Sequence, residues 1–373
     1  MVKTKFRVLA INPGSTSTKI GLFDNEILVF KKSIEHSAKE LEKFKDISDQ
    51  YDFRLKTVIQ TLEKEKIDMS SIDAFSGRGG SLQCCKGGTY LINDLMYRDA
   101  KEMKIVKHPS ALGIVIAKNL GEQYRRPSFC VNPPDVDEFI TEARITGIPG
   151  IYRESRIHAL NQKEIAIRYA KKIRKQYQDL NLIICHIGGG ISIAAHRKGK
   201  MIDCNDIVNG DGPMTPNRSG FLPAKAVLKM CMSKTYTEQE IKNYIGKNGG
   251  LMAWLGTNDI RKVHEMIKKG NKKAKIILDA MIYQIAKQIG AMYASLKGNC
   301  SAIILTGGIA NDAYVVSKIK NYCKTMAKIV VMPGEFELEA LAAGVIRVLN
   351  HKERSLTYTG VPVFQSLEEL YEK

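Results

Sequence analysis

The chain has 373 residues, of which 44% are hydrophobic and 26% are charged, and its 57 basic and 39 acidic side chains give a net charge of +18. This length favours two domains, each able to bury a core of its own. The apolar runs are too short to cross a bilayer and the first five residues lack the apolar stretch of a signal peptide, so we expect a cytoplasmic protein that needs no membrane.

The excess of basic residues raises the question of nucleic-acid binding. The lysines are scattered along stretches that resemble solvated helix faces, and few aromatic side chains accompany them that could stack on bases. An anionic small-molecule substrate explains the charge more simply, and we expect no nucleic-acid partner. The eight cysteines form no C-x-x-C pair, a pattern typical of free thiols in a reducing compartment.

In chain order, the hydrophobic pattern of the first half predicts three strands, a helical stretch, a short strand, two helices and a further strand, at 6–12, 19–24, 26–33, 37–68, 72–76, 93–105, 110–121 and 128–131. The second half predicts a helix, three strands, a long buried helix from Ala274, and then two strands each followed by a helix, with segments at 156–175, 181–187, 191–196, 200–204, 301–305, 328–332 and 335–350. The glycine–proline run at 147–150 is typical of a hinge, and the polar loop at 210–220 of a segment that contacts substrate.

The chain repeats one pattern of its own 174 positions apart. Residues 8–26 and residues 182–200 both predict a strand, a small polar turn, a strand, a tight turn and a strand, and Asn12 in the first copy corresponds to His186 in the second. A buried strand that ends in a polar residue, followed by glycines and hydroxyls, brings backbone N–H groups close to phosphate. Duplication of this unit predicts two similar α/β domains with a cleft between them.

Three turns rich in glycine or hydroxyl side chains are candidate nucleotide-binding elements. No G-x-x-x-x-G-K-[ST] sequence occurs, which excludes a P-loop, and no G-x-G-x-x-G follows a strand, which argues against a Rossmann site. The third turn leads from the strand at 301–305 into a helix, whose first N–H groups would face phosphate. The candidate nucleotide-binding residues of the three turns are Gly14, Ser15, Thr16, Ser17, Lys19, Gly188, Gly189, Gly190, Gly307, Gly308 and Asn311.

The combination resembles the acetate kinase/butyrate kinase family, which belongs to the superfamily of acetate and sugar kinases, heat-shock chaperones and actin. Within the family the sequence is most similar to the butyrate kinase branch. The segments that carry the resemblance run almost from end to end, at 10–19, 77–80, 87–90, 158–163, 186–192, 212–220, 256–259 and 333–341. Together these segments are far more specific than any single glycine turn.

The resemblance implies an α/β fold of two duplicated ribonuclease-H-like/actin-like ATPase domains around an interdomain nucleotide cleft. The first, on the carboxylate side, would comprise residues 1–148 plus 340–373, and the second, on the nucleotide side, residues 149–339. The resemblance also implies a homodimer or a larger homo-oligomer.

The implied reaction is the reversible, direct in-line transfer of a phosphoryl group from ATP to the carboxylate of butyrate or a branched short-chain acid. It gives butanoyl phosphate, or the related acyl phosphate, and ADP, with Mg²⁺ as the metal. The carboxylate is itself the nucleophile, so the protein has to position two anions and neutralise their charge rather than supply a strong base.

Four residues carry catalytic roles by the same resemblance. Asn12 would lie at the first phosphate turn, and His186 at the second, where it would hydrogen-bond the phosphoryl group in transit. Arg78, in a turn framed by glycines, would hold the carboxylate. Arg218, in the long polar loop, would stabilise charge on the transferring phosphoryl group.

Two further histidines belong to the matched segments or lie close to them. His108, which precedes a proline and a serine, resembles an active-site histidine of acetate kinases and is a candidate substrate-binding residue. We interpret His158 as a structural histidine of a helix.

The candidate metal ligands are Glu337 and Asn132, and here the sequence departs from the family. Asn132 stands where butyrate kinases carry an aspartate, and a neutral amide binds Mg²⁺ more weakly than a carboxylate does. Phe336 stands between glutamates where the family has an aspartate. Either Asp135 or Asp137 substitutes for the missing carboxylate, or the metal is held by the C-terminal glutamates and the nucleotide, or activity is reduced.

These departures leave two alternatives to the butyrate kinase hypothesis. One is a nucleotide-binding protein of the same fold with a degraded metal site, which the asparagine at position 132 favours. The other is a carboxylate kinase that prefers acetate or propionate. The presence of Arg78, His186 and Arg218 favours an enzyme, because a protein that only bound nucleotide would not need arginines for a carboxylate.

Overall fold

The computed structural model describes residues 5–370. Within them the chain forms two compact units, one of residues 5–137, 159–161 and 336–370 (unit 1) and one of residues 138–158 and 162–335 (unit 2). The domain boundaries expected from the sequence, at 148/149 and 339/340, stay a prediction. No helix between residues 5 and 370 is both long and apolar enough to cross a membrane.

The strands alternate with helices along most of the chain. The described residues form twelve strands: β1 (Arg7–Pro13), β2 (Ser17–Asp24), β3 (Ile27–Glu35), β4 (Ala74–Gly77), β5 (Thr89–Leu91), β6 (Ser128–Val131), β7 (Asn181–Ile187), β8 (Ile191–Arg197), β9 (Lys200–Cys204), β10 (Ala302–Thr306), β11 (Ile329–Val331) and β12 (Leu356–Thr357).

The helices of the same residues number thirteen. They are α1 (Ala38–Leu41), α2 (Tyr51–Lys64), α3 (Asp94–Glu102), α4 (Leu112–Tyr124), α5 (Thr141–Arg144), α6 (Ala159–Lys172), α7 (Ala224–Met232), α8 (Glu238–Gly246), α9 (Gly250–Leu255), α10 (Ile260–Lys268), α11 (Lys272–Ser295), α12 (Ala313–Cys323) and α13 (Glu337–Leu349).

The two sheets repeat one topology. The sheet of unit 1 has the strand order β12-β5-β6-β4-β1-β2-β3, and that of unit 2 has the order β11-β10-β7-β8-β9. In each, three antiparallel strands form a meander, and the next strand crosses back to lie parallel to the first, β4 beside β1 and β10 beside β7. A further parallel strand, β6 or β11, continues each sheet. The expected fold of two duplicated ribonuclease-H-like/actin-like ATPase domains is therefore confirmed.

Each unit buries its sheet against apolar helices. In unit 1, α4 packs on β4 and β6, and α13 packs on β1, and both helices bury most of their residues. In unit 2, α11 lies against β7 and β8. The face of α11 that the sequence predicts to be buried, formed by Leu278, Met281, Ile282, Ile285, Ile289 and Met292, lies in the core of that unit.

One predicted helix is broken in the structure. The sequence indicates a helical stretch over 37–68, whereas α1 ends at Leu41 and α2 begins only at Tyr51. Between them, the Asp49 carboxylate accepts a hydrogen bond from the backbone N–H of Asp46, and the Asp46 carboxylate accepts one from Ile47. These side chains compete with the helix for backbone donors, which interrupts the helical hydrogen-bond pattern.

The topology brings the predicted phosphate turns to one edge of each sheet. The carboxyl ends of parallel strands share an edge, so in unit 1 the end of β1, with Asn12, lies beside the end of β4, which leads into Arg78. In unit 2 the end of β7, with His186, lies beside the end of β10 at Thr306. In each unit, the candidate residues that follow neighbouring parallel strands therefore lie at the same edge of the sheet.

Candidate active site

Asn12, Arg78 and Glu337 form a polar cluster at the edge of the unit 1 sheet. Asn12 Nδ2 donates a hydrogen bond to Glu337 Oε2 at 2.6 Å, and Arg78 Nη2 lies 3.6 Å from Glu337 Oε1. Arg78 is 7% exposed, and its Nη1 is buried with no hydrogen-bond partner among residues 5–370. One face of this guanidinium thus has donor capacity that the described protein groups do not use.

Glycines fix the turn that carries Arg78. A Cβ at Gly77 would lie 2.0 Å from the carbonyl oxygen of Gly113 at the start of α4, and a Cβ at Gly79 would lie 2.7 Å from Pro133. Because neither position has room for a side chain, β4, α4 and the loop after β6 approach one another closely. This packing holds the Arg78 backbone, whose N–H also donates to Ile11 at 2.9 Å.

His108 lies beside the same turn. Its Nδ1 accepts a hydrogen bond from the Ser110 backbone N–H at 3.2 Å and lies 2.9 Å from Ser110 Oγ, so the imidazole caps the short 3₁₀ turn before α4. A Cβ at Gly80 would lie 2.7 Å from that Ser110 Oγ. The structure therefore brings the two predicted substrate-binding residues, Arg78 and His108, to neighbouring turns.

The Asn132 side chain holds a loop. The Asn132 Oδ1 accepts a hydrogen bond from the Gly88 N–H at 2.8 Å, and the Asn132 backbone N–H donates to the Gly88 carbonyl at 2.9 Å. Its backbone has a φ of 39°, in the left-handed region that asparagine tolerates better than most residues. The amide oxygen proposed as a metal ligand is thus already bonded to the backbone.

Glu337 remains the better-placed candidate metal ligand. Within the described part of the chain, no group of three or more His, Cys, Asp or Glu side chains could hold a metal ion. Mg²⁺ commonly keeps several waters and is bound by one or two carboxylates together with substrate phosphates. A single carboxylate beside an amide therefore fits Mg²⁺ that is held mainly through a nucleotide.

The first phosphate turn connects β1 to β2. The Gly14 N–H donates to the Ser17 carbonyl at 2.7 Å, which closes the turn. Ser15 and Thr16 are exposed at its tip. Lys19 is exposed on β2, where it pairs with Asn12 across the hairpin.

The second phosphate turn follows His186 in unit 2. The His186 and His158 rings are stacked, with centroids 4.2 Å apart and planes inclined by 26°, and His158 Nδ1 lies 2.9 Å from Ser192 Oγ. The interpretation of His158 as a structural histidine stays a prediction, whereas its stack on His186 was not expected from the sequence. The available signal was its place at the head of the matched segment 158–163.

Arg218 lies over the glycines of the second turn. A Cβ at Gly190 would lie 1.8 Å from Arg218 Nη1, so a side chain at this position would displace the guanidinium. The same Nη1 is buried and has no hydrogen-bond partner in the described chain, and burial lowers the pKa of Arg218. A Cβ at Gly188 would lie 3.2 Å from His186 Nε2 and 3.7 Å from Glu335 Oε1. The histidine, the arginine and the glutamate thus surround one glycine turn.

A hydrogen-bonded chain of buried side chains extends behind His158. Gln162 Nε2 donates to the carbonyl and the hydroxyl of Ser192, and its Oε1 lies 3.0 Å from His196 Nε2. The Tyr177 hydroxyl donates a hydrogen bond to His196 Nδ1 at 2.6 Å. Burial holds the pKa of His196 well below its ordinary value, so this imidazole is neutral, and the Gln162 oxygen opposite Nε2 assigns the ring proton to that nitrogen.

Unit 2 contains a pocket of about 490 Å³ beside the second turn. Four of the predicted nucleotide-binding residues line it: Gly188, Gly189, Gly308 and Asn311. The rest of the lining, which the sequence analysis did not assign, consists of Pro216, Asn258, Asp259, Ile260, Arg261, Ile309, Asp312 and Glu335. Asn258 and Asp259 belong to the segment 256–259, which matches the family but to which the sequence analysis assigned no role.

The third glycine turn differs from the expected strand-to-helix junction. A 3₁₀ turn at Gly308–Asn311 separates β10 from α12, and the Asp312 carboxylate caps α12 by accepting from the Val315 N–H at 2.9 Å. The Val315 N–H is therefore used within the protein, and the expectation that the first N–H groups of α12 face phosphate stays a prediction. Gly307 has a φ of 87°, and a Cβ there would lie 2.5 Å from the Ile187 carbonyl oxygen, so this position requires glycine.

Comparison with solved structures shows the same fold in carboxylate kinases. Acetate kinase from Porphyromonas gingivalis superposes with a TM-score of 0.74 at 18% identity, covering 92% of this chain and 100% of that one. A propionate kinase from Francisella tularensis gives 0.72 at 20% identity, covering 91% and 98%. Acetate kinase from Entamoeba histolytica gives 0.72 at 19% identity, with the same coverage.

A family model extends the comparison from fold to sequence. The model of the acetokinase family matches residues 150–344, which is more than half of the chain and contains the second and third glycine turns, Arg218 and the start of α13. The chain therefore belongs to the acetokinase family, the phosphotransferases that act on carboxylate acceptors.

Proposed function

We propose that the protein is a butyrate kinase, which transfers the γ-phosphoryl group of ATP to the carboxylate of butyrate or a branched short-chain acid. The observation that carries the proposal is a pair of buried arginine donors. The Nη1 atoms of Arg78 and Arg218 are buried without a hydrogen-bond partner in the described chain. A buried donor without an acceptor is costly, and the planar guanidinium fork matches a carboxylate or a phosphoryl group.

In unit 1, Arg78 would hold the substrate carboxylate. The ionised carboxylate attacks the γ-phosphorus, and the bond between that phosphorus and the bridging oxygen of ADP breaks. No proton has to be removed from the nucleophile, so the cluster needs only to orient it and lower its charge. His108, on the neighbouring turn, would contact the acid from the side.

In unit 2, the second phosphate turn and the 490 Å³ pocket would hold the nucleotide. The pocket volume lies in the range typical of small-molecule sites. His186 would donate a hydrogen bond to the phosphoryl group in transit. Arg218, fixed over Gly190, would stabilise the negative charge on its oxygens.

Mg²⁺ is the metal that the family implies, and Glu337 is the residue that would hold it. Mg²⁺, when bound, would neutralise phosphate charge and fix the phosphate geometry. Asn12 donates to Glu337 and so orients the carboxylate. Asn132 would act by holding the loop at Gly88 rather than as a strong ligand.

The choice of butyrate rests on the near end-to-end similarity to the butyrate kinase branch. A methylene group in an apolar pocket changes discrimination by only about 1–3 kcal/mol, so a few substitutions could shift the preferred chain length. The resemblance also supports the proposal that the protein works as a homodimer or larger homo-oligomer.

The experiment is acyl-hydroxamate formation from ATP, Mg²⁺, butyrate and hydroxylamine with the purified full-length protein. The proposal predicts butyrate-dependent hydroxamate with equal release of ADP, and formation of ATP from butanoyl phosphate and ADP in reverse. ATP binding without turnover of any short-chain acid would instead support a nucleotide-binding protein with a degraded metal site.

A further inference from the structure

Arg54 on α2 is a buried cation that the proposed reaction does not use. Its side chain is 0% exposed. Its Nε and Nη2 donate to Gln50 Oε1 at 3.1 and 2.9 Å, Nη1 donates to the Ser17 carbonyl at 3.2 Å and to Thr18 Oγ1 at 3.1 Å, and Nη2 also donates to the Ser15 carbonyl at 3.3 Å. Every acceptor is neutral.

No carboxylate among residues 5–370 forms an ion pair with this guanidinium. Burial lowers the pKa of Arg54 to about 10, so it stays charged at neutral pH. Burying a charge without a counter-charge is unfavourable, and arginines in such positions are normally paired. The protein thus keeps an uncompensated positive charge inside unit 1.

The charge lies directly beneath the first phosphate turn. Arg54 donates hydrogen bonds to the carbonyls of Ser15 and Ser17, and the His36 backbone N–H donates one to the carbonyl of Thr16 at 2.8 Å. The carbonyl oxygens of residues 15–17 are therefore all bonded within unit 1, while the Ser15 and Thr16 side chains are exposed. Backbone N–H groups of a turn that are not used within the protein can bind an anion.

We propose that Arg54 is a positioning residue that turns residues 15–17 into an anion site, and that the anion is the polyphosphate chain of the nucleotide. The two terminal nitrogens of the Arg54 guanidinium hold the Ser17 and Ser15 carbonyls towards the interior of unit 1. The guanidinium also supplies a fixed positive charge beneath the backbone N–H groups of the turn. The inference rests on the proposed function only for the identity of the anion as a nucleotide.

The test compares the binding of MgATP, inorganic tripolyphosphate and adenosine to the full-length protein by isothermal titration. Arg54→Met removes the charge and the fork, and Arg54→Lys keeps the charge but cannot bond both carbonyls. Arg144→Met is the matched control, since Arg144 is also buried and donates to a backbone carbonyl, that of Phe139 in unit 2.

Arg54→Met should weaken MgATP and tripolyphosphate about tenfold, the effect of one charge through a partly screened interior, and leave adenosine within about twofold. Arg54→Lys should weaken MgATP and tripolyphosphate about threefold and leave adenosine within about twofold, because charge is retained while the carbonyls are released. Arg144→Met should leave all three affinities within about twofold.

A folded Arg54→Met protein with unchanged MgATP affinity, or with equal losses for MgATP and adenosine, overturns the inference. If Arg54→Met fails to fold, the Arg54→Lys result decides, and unchanged MgATP affinity there overturns it. These titrations contain no carboxylic acid substrate, so their outcome does not depend on whether the protein phosphorylates one. A wild-type protein that binds MgATP in this way but phosphorylates no acid would refute the proposed function and leave the inference on Arg54 standing.

Discussion

Arg78 and Arg218 are held by backbone and steric constraints rather than by close ion pairs. The nearest acid contact of Arg78 is Glu337 at 3.6 Å, and Arg218 Nη1 lies buried over Gly190 with no hydrogen-bond partner among the described residues. Both side chains are therefore oriented before a ligand arrives, which lowers the ordering cost of binding. The family resemblance, together with the flanking glycines, predicts these two arginines, but not their buried, unpartnered nitrogen atoms.

Arg78→Lys should raise the KM for butyrate about 10- to 100-fold, because a charge-assisted hydrogen bond contributes about 1.5–3 kcal/mol and lysine cannot form the fork. The KM for ATP should change less than about threefold, since the change affects the acid. Steady-state kinetics at saturating ATP measure both. Arg126→Lys, an exposed arginine of unit 1, is the control, and an unchanged butyrate KM would remove the carboxylate role from Arg78.

Glu337→Gln should raise the Mg²⁺ concentration for half-maximal rate about tenfold, because an amide is a weaker ligand than a carboxylate. Glu339→Gln is the matched comparison from the same helical turn and should change it less than about threefold, because only Glu337 bonds Asn12. Initial rates against free Mg²⁺ at fixed ATP give both values. If Glu339→Gln raised this Mg²⁺ concentration more than Glu337→Gln did, Glu339 rather than Glu337 would be the metal ligand.

At the scale of elements, the sequence predicts what is periodic or local. β7 at Asn181–Ile187 and β9 at Lys200–Cys204 match the predicted bounds, because a buried strand ending in a polar turn is visible in the sequence alone. The pocket wall at Asn258, Asp259 and Arg261 could not be found this way, because it meets the second turn only through the fold. The stack of His158 on His186 likewise joins α6 to β7 across distant sequence positions.

The second phosphate turn offers a steric test of the element that carries Arg218. Gly190→Ala places a methyl group where Arg218 Nη1 lies, so the guanidinium must move, and kcat should fall about 100-fold, as when one donor to the reacting phosphoryl group is lost. Kinetics with a circular dichroism melt separate this from unfolding.

Gly246→Ala in α8 is the matched control, because a Cβ there meets nothing within 4 Å. It should retain wild-type kcat. A Gly190→Ala protein with kcat within about threefold of wild type would show that Arg218 does not act from this position.

On the scale of the whole molecule, each unit buries a histidine that is neutral in the folded state. Burial, followed by the charge of Arg54, lowers the pKa of His36 in unit 1, and burial, followed by the charge of Lys163, lowers that of His196 in unit 2. The unfolded chain has a histidine pKa of about 6.5. As the pH falls below that value, the unfolded state binds protons that the folded state does not, so stability decreases.

The free energy of unfolding should therefore fall between pH 7 and pH 5.5, with each histidine contributing at most about 1.4 kcal/mol per pH unit below 6.5. Urea unfolding at pH 7.5, 6.5 and 5.5 measures this. His196→Gln should flatten the dependence relative to wild type. Stability that is constant or rises towards pH 5.5 would contradict the burial of neutral imidazoles.

The property that most directly distinguishes a butyrate kinase from its relatives is the acid that accepts the phosphoryl group. The deciding measurement is kcat/KM for ATP-dependent acyl-hydroxamate formation with acetate, propionate, butyrate, isobutyrate and valerate, side by side. The proposed function predicts a maximum at four or five carbons. A maximum at acetate or propionate would contradict the butyrate assignment within the same family, and bound ATP with no turnover of any acid would contradict the carboxylate kinase chemistry itself.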